Sequence, residues 1–107
     1  MARDQGQQPF SVLDQLGSHE WSTQESVAYE AAIEAINGAV GAYTARINAE
    51  QAEAQPDTQK IDDWRGQRRE CEAVRRGLDP ADHEQIARAR QRYAALAEQL
   101  RQGGQAS

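Results

Sequence analysis

The chain has few of the residues that commonly stabilise or anchor small proteins. It contains one cysteine, Cys71, and aromatic residues make up 6% of its 107 residues. A single cysteine excludes an intrachain disulfide framework and a cysteine-cluster metal site, and it agrees with a reducing compartment. No apolar run approaches the ~20 residues that span a bilayer, and residues 1–8 lack the apolar core of a signal peptide. We therefore expect a cytoplasmic protein without a membrane segment.

Residue clusters that would support catalysis or ligand binding are also scarce. The two histidines, His19 and His83, have no second histidine or carboxylate at a metal-ligand spacing, so we expect both at the surface. Cys71 falls on the apolar side of a helix, where a small buried hydrophobe is expected. The acids Asp62 and Asp63 lie near a helix N-terminus, where they favour the helix dipole over a bound cation. The sequence predicts no catalytic residue, no metal and no cofactor.

Charge is unevenly distributed along a chain whose net charge is −5. Residues 1–56 carry a balance of −6 and residues 57–107 carry +1, and Lys60 is the one lysine among the 12 basic residues. Acids interleave with the arginines of the second half, which is typical of a solvated, salt-bridged surface. The asymmetry favours an acidic face and a weakly basic one, which can steer a partner or order a self-contact.

Apolar periodicity in the first half predicts one long helix. Residues 11–17 form a separate helical turn in this interpretation, and residues 10–21 either fold back to close the bundle or dock on another protein. A capping box at residues 22–25 begins the main helix, and Pro56 ends it after about Gln55. Gly38 and Gly41 favour a bend or a close helix crossing. A bulky stripe and an alanine stripe share the helix: Tyr29, Ile33, Ile36, Val40, Tyr43 and Ile47, and Ala28, Ala32, Ala35, Ala39, Ala42 and Ala49.

Two shorter helices follow in the second half. Asp57 is the predicted N-cap of a helix that continues to about Arg76, where Gly77 is read as a left-handed C-cap. Asp79 and Pro80 predict the start of the third helix, which ends at residues 103–104. The apolar positions of these helices are Ile61, Trp64, Cys71, Val74 and Leu78, and Ile86, Ala89, Tyr93, Leu96 and Leu100. Residues 10–102 are one predicted domain, between disordered tails at 1–9 and 103–107.

These elements predict an all-α fold, an antiparallel three-helix bundle with a long first helix and a short N-terminal helical turn. The first helix, about 33 residues or ~50 Å, is longer than its neighbours, so one end must overhang. The N-terminal segment, a kink or a second copy of the chain could cover that surface.

The surplus helix length and the absence of a site constellation favour a non-catalytic protein–protein interaction module. We expect a small adaptor, inhibitor or regulatory subunit with a protein partner, and a homodimer. Trp64, Arg68 and Arg75 are the predicted partner-binding residues, because an aromatic side chain beside arginines is common at protein interfaces. The alternative is a nucleic-acid-binding regulator that uses the arginines of helices two and three, which the acidic net charge disfavours.

Overall fold

A computed structural model describes the backbone of residues 11–106 and the side chains of residues 23–103. It contains the helices α1 (Ser11–Gln51), α2 (Thr58–Arg76) and α3 (His83–Ala106), and the described residues include no strand. Helices α2 and α3 each pack against α1, which confirms the predicted all-α three-helix bundle. No helix in this part of the chain carries the long apolar stretch that a membrane crossing requires.

Contacts between the helices set their directions. Asn37 of α1 bonds to Arg75 of α2, and the later residue Tyr43 bonds to the earlier residue Gln67. Helix α2 therefore runs antiparallel to α1. Helix α3 runs parallel to α1, because His83 at its start contacts Glu25 and Leu100 in its later part contacts Arg46. The bundle is therefore up-down-up, with α1 in contact with both of the other helices.

The core follows a line of alternating small and large residues on α1. Ala32, Ile36 and Ala39 are fully buried, and Tyr43 and Ile47 are 3% exposed. Both predicted stripes of α1 therefore contribute to the core, while their outer members stay half-buried or exposed. The other helices and the loop between them complete the core with Ile61, Cys71, Leu78, Ile86, Ala89, Tyr93 and Ala97.

The first helix begins earlier and ends earlier than the sequence predicts. Residues 11–17 and 22–25 both lie inside α1, so the predicted separate turn and the fold-back at residues 10–21 are wrong. Gly17 costs about 1 kcal/mol of helix propensity relative to alanine, which is too little to break a helix with good helix formers on both sides. At the other end α1 stops at Gln51, and residues 52–57 form the turn that reverses the chain before α2. Glu50 accepts a hydrogen bond from the Asp57 amide across this turn, at 3.0 Å.

The overhang of α1 lies at its N-terminal end. Because α3 begins opposite Glu25, residues 11–24 extend beyond the start of α3 by about 21 Å of helix. Residues 1–10 and 107 lie outside the described part of the chain, as do the side chains of residues 11–22, including His19. The predicted tail at 1–9 therefore falls outside the described residues.

The start of α2 is as predicted, whereas the junction with α3 differs. The Asp57 carboxylate accepts from the amides of Gln59 and Lys60 at 3.1 and 3.2 Å, as an N-cap does. Helix α2 ends at Arg76 with Gly77 as its C-cap, as predicted, but Gly77 has φ −92°, so the predicted left-handed conformation is wrong.

The third helix also has different ends. It begins at His83 rather than near Pro80, because Asp82, not Asp79, supplies the carboxylate that accepts from the Gln85 amide, at 3.1 Å. Asp79 instead accepts from Ala81 within the preceding turn. At the other end α3 continues through Gly103 to Ala106, so the predicted helix end at residues 103–104 is wrong. Two consecutive glycines weaken a helix, but they do not force a last turn to end.

Candidate interaction surface

The surface between α1 and α3, on the side facing away from α2, carries a shallow groove. It comprises adjoining cavities of about 560 and 310 Å³, which share Arg90 and Ala94. We call it the outer groove. Its main lining residues are Gln24, Glu25, Ala28, Ala31, Glu34, Ala35 and Gly38 of α1, and His83, Ala87, Arg90, Gln91, Ala94, Ala97 and Arg101 of α3.

The floor of the outer groove consists of small side chains because the two helices approach closely there. A Cβ added at Gly38 would lie 3.6 Å from the Cβ of Ala97, which is an ordinary van der Waals distance. The predicted close helix crossing is therefore located here, although the space does not demand glycine. Ala28, Ala87 and Ala94 stay exposed and offer only methyl groups to solvent. A partner side chain can therefore approach the backbone of both helices.

Charge of opposite sign lies along the two edges of the outer groove. The α1 edge carries Glu34, and the stretch 23–45 of α1 contains three glutamates and no basic residue. The α3 edge carries Arg90 and Arg101. Within the described side chains, Arg101 pairs with Glu98 at 3.1 Å, whereas no ion pair is formed by Glu34 or Arg90.

A side-chain hydrogen bond crosses the end of the outer groove near the start of α3. The His83 Nε2 lies 2.9 Å from the Glu25 carboxylate, whose side chain is 16% exposed. The histidine side chain is 58% exposed, which confirms the predicted surface position of His83. Its partner Glu25 was not predicted, because the two residues are 58 positions apart in the sequence. This hydrogen bond joins the first residue of α3 to α1.

Next to the outer groove lies the one large hydrophobic side chain that is exposed among the described residues. Val27 is 63% exposed. It precedes Ala31 by one turn and Glu34 by two turns on the same side of α1. The acidic edge of the groove therefore also carries apolar surface.

A second depression, here named the inner cleft, separates α2 from α3. It consists of cavities of about 450 and 420 Å³ that share Arg92 and Tyr93. Tyr43, Cys71 and Tyr93 line its deeper part, and the Tyr43 hydroxyl donates a hydrogen bond to the side-chain oxygen of Gln67. The cleft exists because α2 and α3 each pack on α1 with little direct contact between them.

The thiol and the two phenol groups that line the inner cleft hold their protons near neutral pH. Burial raises the pKa of the Cys71 thiol, and the neighbouring Glu70 carboxylate raises it further. Burial also raises the pKa of the Tyr43 and Tyr93 hydroxyls. Cys71 is 3% exposed, which confirms the predicted small buried hydrophobe. A neutral thiol is a weak nucleophile, so this arrangement lacks an activated group.

The predicted partner-binding residues all face α1 and line neither the outer groove nor the inner cleft. Trp64 is half-buried beneath the Arg46 guanidinium, which lies 5.7 Å from the ring centroid. Arg68 donates to the Thr44 hydroxyl at 2.9 Å, and Arg75 donates to the side-chain oxygen of Asn37. Their role in partner binding stays a prediction, and their observed contacts are within the bundle.

The arginines proposed for nucleic-acid binding are dispersed over several surfaces. Arg65 and Arg88 lie beside Asp62 and Glu84 at 4.0 and 3.5 Å, and others line one groove or the other. No single basic face results from these positions. Among the described residues no group of three or more histidine, cysteine, aspartate or glutamate side chains has a geometry that could hold a metal ion.

The outer groove was not predicted, although the predicted alanine stripe of α1 supplies two of its lining residues. The alanine stripe of α1 already contained Ala28 and Ala35, but the matching residues of α3 were not recognised. The available signal was the seven-residue spacing of Ala87, Ala94 and Arg101, which places them on one side of a helix. Comparison with family models, curated proteins and solved structures finds no match to this chain, so its function is inferred from its own surface chemistry.

Proposed function

We propose that the protein is a non-catalytic interaction module, a small cytoplasmic adaptor, inhibitor or regulatory subunit that binds a helical surface of a partner. The observation that carries this proposal is the outer groove, with its methyl-lined floor between an acidic and a basic edge. Such a surface matches the way an amphipathic helix docks into a groove between two helices.

The groove suits a helix for steric and electrostatic reasons. Packed helices lie 8–10 Å apart, and the shortest separations need small side chains such as those of Ala31, Ala35 and Ala94. Larger side chains of the partner would then fill the space above these methyl groups. Glu34 and Arg90 at the edges would pair with opposite charges and set the orientation of the partner.

A site-specific photo-crosslinker tests the proposal in native cells. We place the crosslinking residue at Ala94 in the outer groove and, as a matched control, at Ala73, an exposed alanine of α2 that lines neither groove. We expect position 94, but not position 73, to form an adduct with a defined protein. That protein, once purified, should bind the native chain and bind Ala94→Glu at least about tenfold more weakly, with Ala73→Glu unchanged.

The outcome that contradicts the proposal is equally concrete. If position 94 forms no adduct, or if the captured protein binds Ala94→Glu and the native chain equally, the outer groove is not an interaction surface for another protein. Circular dichroism of both alanine variants shows whether they remain folded.

A further inference from the structure

The two edges of the outer groove are complementary to each other in charge and in position. Glu34 and Arg90 line the same cavity from opposite sides, so they lie at the same height along the bundle. Neither forms an ion pair within the described side chains. A surface with an acid on one edge and a base at the same height on the other can pair with a copy of itself.

We propose that the outer grooves of two copies face each other around a twofold axis parallel to the helices. In this homodimer α1 of one copy packs on α3 of the other, and Glu34 of each copy pairs with Arg90 of the second copy. This inference rests on the proposed function in taking the outer groove as a binding surface, and it names a second copy of the chain as the occupant.

Charge selects this arrangement over the other symmetric one. Two copies can face each other with the twofold axis along the helices or across them. An axis across the helices would place α1 against α1, and thereby the acidic edges against each other. An axis along the helices places the acidic edge of each copy against the basic edge of the other. Juxtaposed like charges are unfavourable at an interface, so the arrangement with the axis along the helices is favoured.

The shape of the surface supports the same arrangement. The floor of alanines and Gly38 allows the facing helices to approach closely. Val27 on the acidic edge would then lie against the region of Ala87 on α3 of the second copy, since both residues are near the start of the outer groove. The dimer therefore covers the one large hydrophobic side chain that is exposed among the described residues.

Charge reversal provides a direct test by sedimentation equilibrium over a hundredfold concentration range. We expect the native chain to form a dimer, and each of Glu34→Arg and Arg90→Glu to raise the dimer Kd at least about tenfold, because symmetry places two like-charge pairs in each homodimer. An equimolar mixture of the two variants should restore the dimer, since both of its cross-pairs are opposite in charge. The double variant should also restore it.

Matched reversals elsewhere control for net charge. Glu53→Arg and Arg69→Glu change exposed residues that lie outside the outer groove, and they should leave the dimer Kd unchanged. Circular dichroism shows whether each variant is folded. A native chain that is monomeric throughout, a Glu34→Arg variant that dimerises more tightly, or a mixture that stays monomeric would each overturn the inference.

The two proposals fail separately. In the crosslinking experiment, an adduct at position 94 with the mass of two copies supports the outer groove as a binding surface and a second copy as its occupant. An adduct with a different protein supports the proposed function and contradicts the homodimer. A monomeric native chain leaves the proposed function standing, because that proposal is tested by the binding of Ala94→Glu to the captured protein.

Discussion

Helix α1 meets α3 and α2 through different chemistry. On the side of α3, helix α1 contributes small apolar residues. The α3 side of this contact consists of Ile86, Ala89, Tyr93 and Ala97, all at most 7% exposed. Against α2 it adds polar contacts, in which Gln67, Arg68 and Arg75 each bond to a residue of α1. The α1–α3 contact therefore depends mainly on close packing, with hydrogen bonds between His83 and Glu25 and between Arg46 and Leu100 near its two ends. The α1–α2 contact also uses hydrogen bonds along its middle, and these fix the register of the two helices.

The difference follows from the composition of the two helices. Within α2 only Ile61 and Cys71 are buried, so a large part of its inner side is supplied by half-buried residues, several of them polar with apolar stems. Such side chains pack through their methylene groups and place their polar ends on partners. A helix with little apolar surface can thus be held in one register, although each hydrogen bond contributes only about 1 kcal/mol net.

The largest effect is expected from overpacking the α1–α3 contact. Ala97 is 3% exposed and faces Gly38, so Ala97→Leu must push the two helices apart. We expect it to lower the free energy of unfolding by about 2 kcal/mol, within the range for inserted methylenes in a packed core. Urea denaturation measures the change. The control Ala73→Leu, at an exposed site of α2, should alter stability little, and equal losses in both variants would refute the close packing of α1 on α3.

A smaller loss is expected where all three helices meet. The Arg46 guanidinium donates to the Leu100 carbonyl at 2.9 and 3.2 Å and lies over the Trp64 ring. We expect Arg46→Ala to cost about 1.5 kcal/mol in urea denaturation, because it removes hydrogen bonds from a charged donor and the stem that covers the ring. Arg46→Lys keeps the charge but not the planar fork, so it should lose part of that amount. Identical losses in both variants would show that the geometry of the guanidinium is unimportant.

The features that could be predicted from the sequence are local, whereas those that could not depend on contacts between distant residues. The helices could be predicted because their apolar spacing and the cap at Asp57 are local signals. The alanine stripe of α1 could be predicted, but the outer groove could not, because it depends on the parallel placement of α3 beside α1. The contact of Arg46 with Trp64 and Leu100 is equally non-local: nothing in the residues around position 46 indicates what lies 18 and 54 positions away.

The wrong predictions have a common physical origin. At Gly17, Ser22, Asp79 and Gly103 the sequence offers a helix-ending or helix-starting residue that the chain does not use. Caps and glycines contribute about 1 kcal/mol each, so they bias an end that the surrounding helix can override. The predicted roles of Trp64, Arg68 and Arg75 came from composition, which cannot distinguish a partner protein from the neighbouring helix.

A double-mutant cycle can sharpen the view that hydrogen bonds fix α2 on α1. Arg68 and Thr44 form a half-buried pair, whereas the Arg75–Asn37 pair is exposed. We expect the alanine cycle at the first pair to give a coupling energy of about 0.5–1 kcal/mol in urea denaturation, because water competes less there. The cycle at the exposed pair should give a smaller coupling. A reversed order would mean that burial does not determine the strength of these contacts.

The smallest effect is expected at alkaline pH and concerns the inner cleft, which exists because α2 and α3 pack on α1 rather than on each other. The pKa values of Cys71, Tyr43 and Tyr93 are raised above 9.0 and 10.0, their values in the absence of the fold, chiefly because burial disfavours the charged forms. The folded chain therefore holds these protons more tightly than the unfolded chain. Their contribution to stability is fully present below about pH 9 and is lost as the pH rises through the folded-state pKa values.

Urea denaturation between pH 8 and pH 11 measures this loss. The native chain should become less stable over that range, and Tyr93→Phe should show a shallower decline because it lacks one of the three titrating groups. Glu70 raises the pKa of Tyr93 and Arg92 lowers it, so part of the slope depends on these charges at the edges of the cleft. A slope that is the same in the native chain and in Tyr93→Phe would show that Tyr93 ionises as freely in the folded protein as in the unfolded one, and thus that α2 and α3 leave the cleft open to water down to α1.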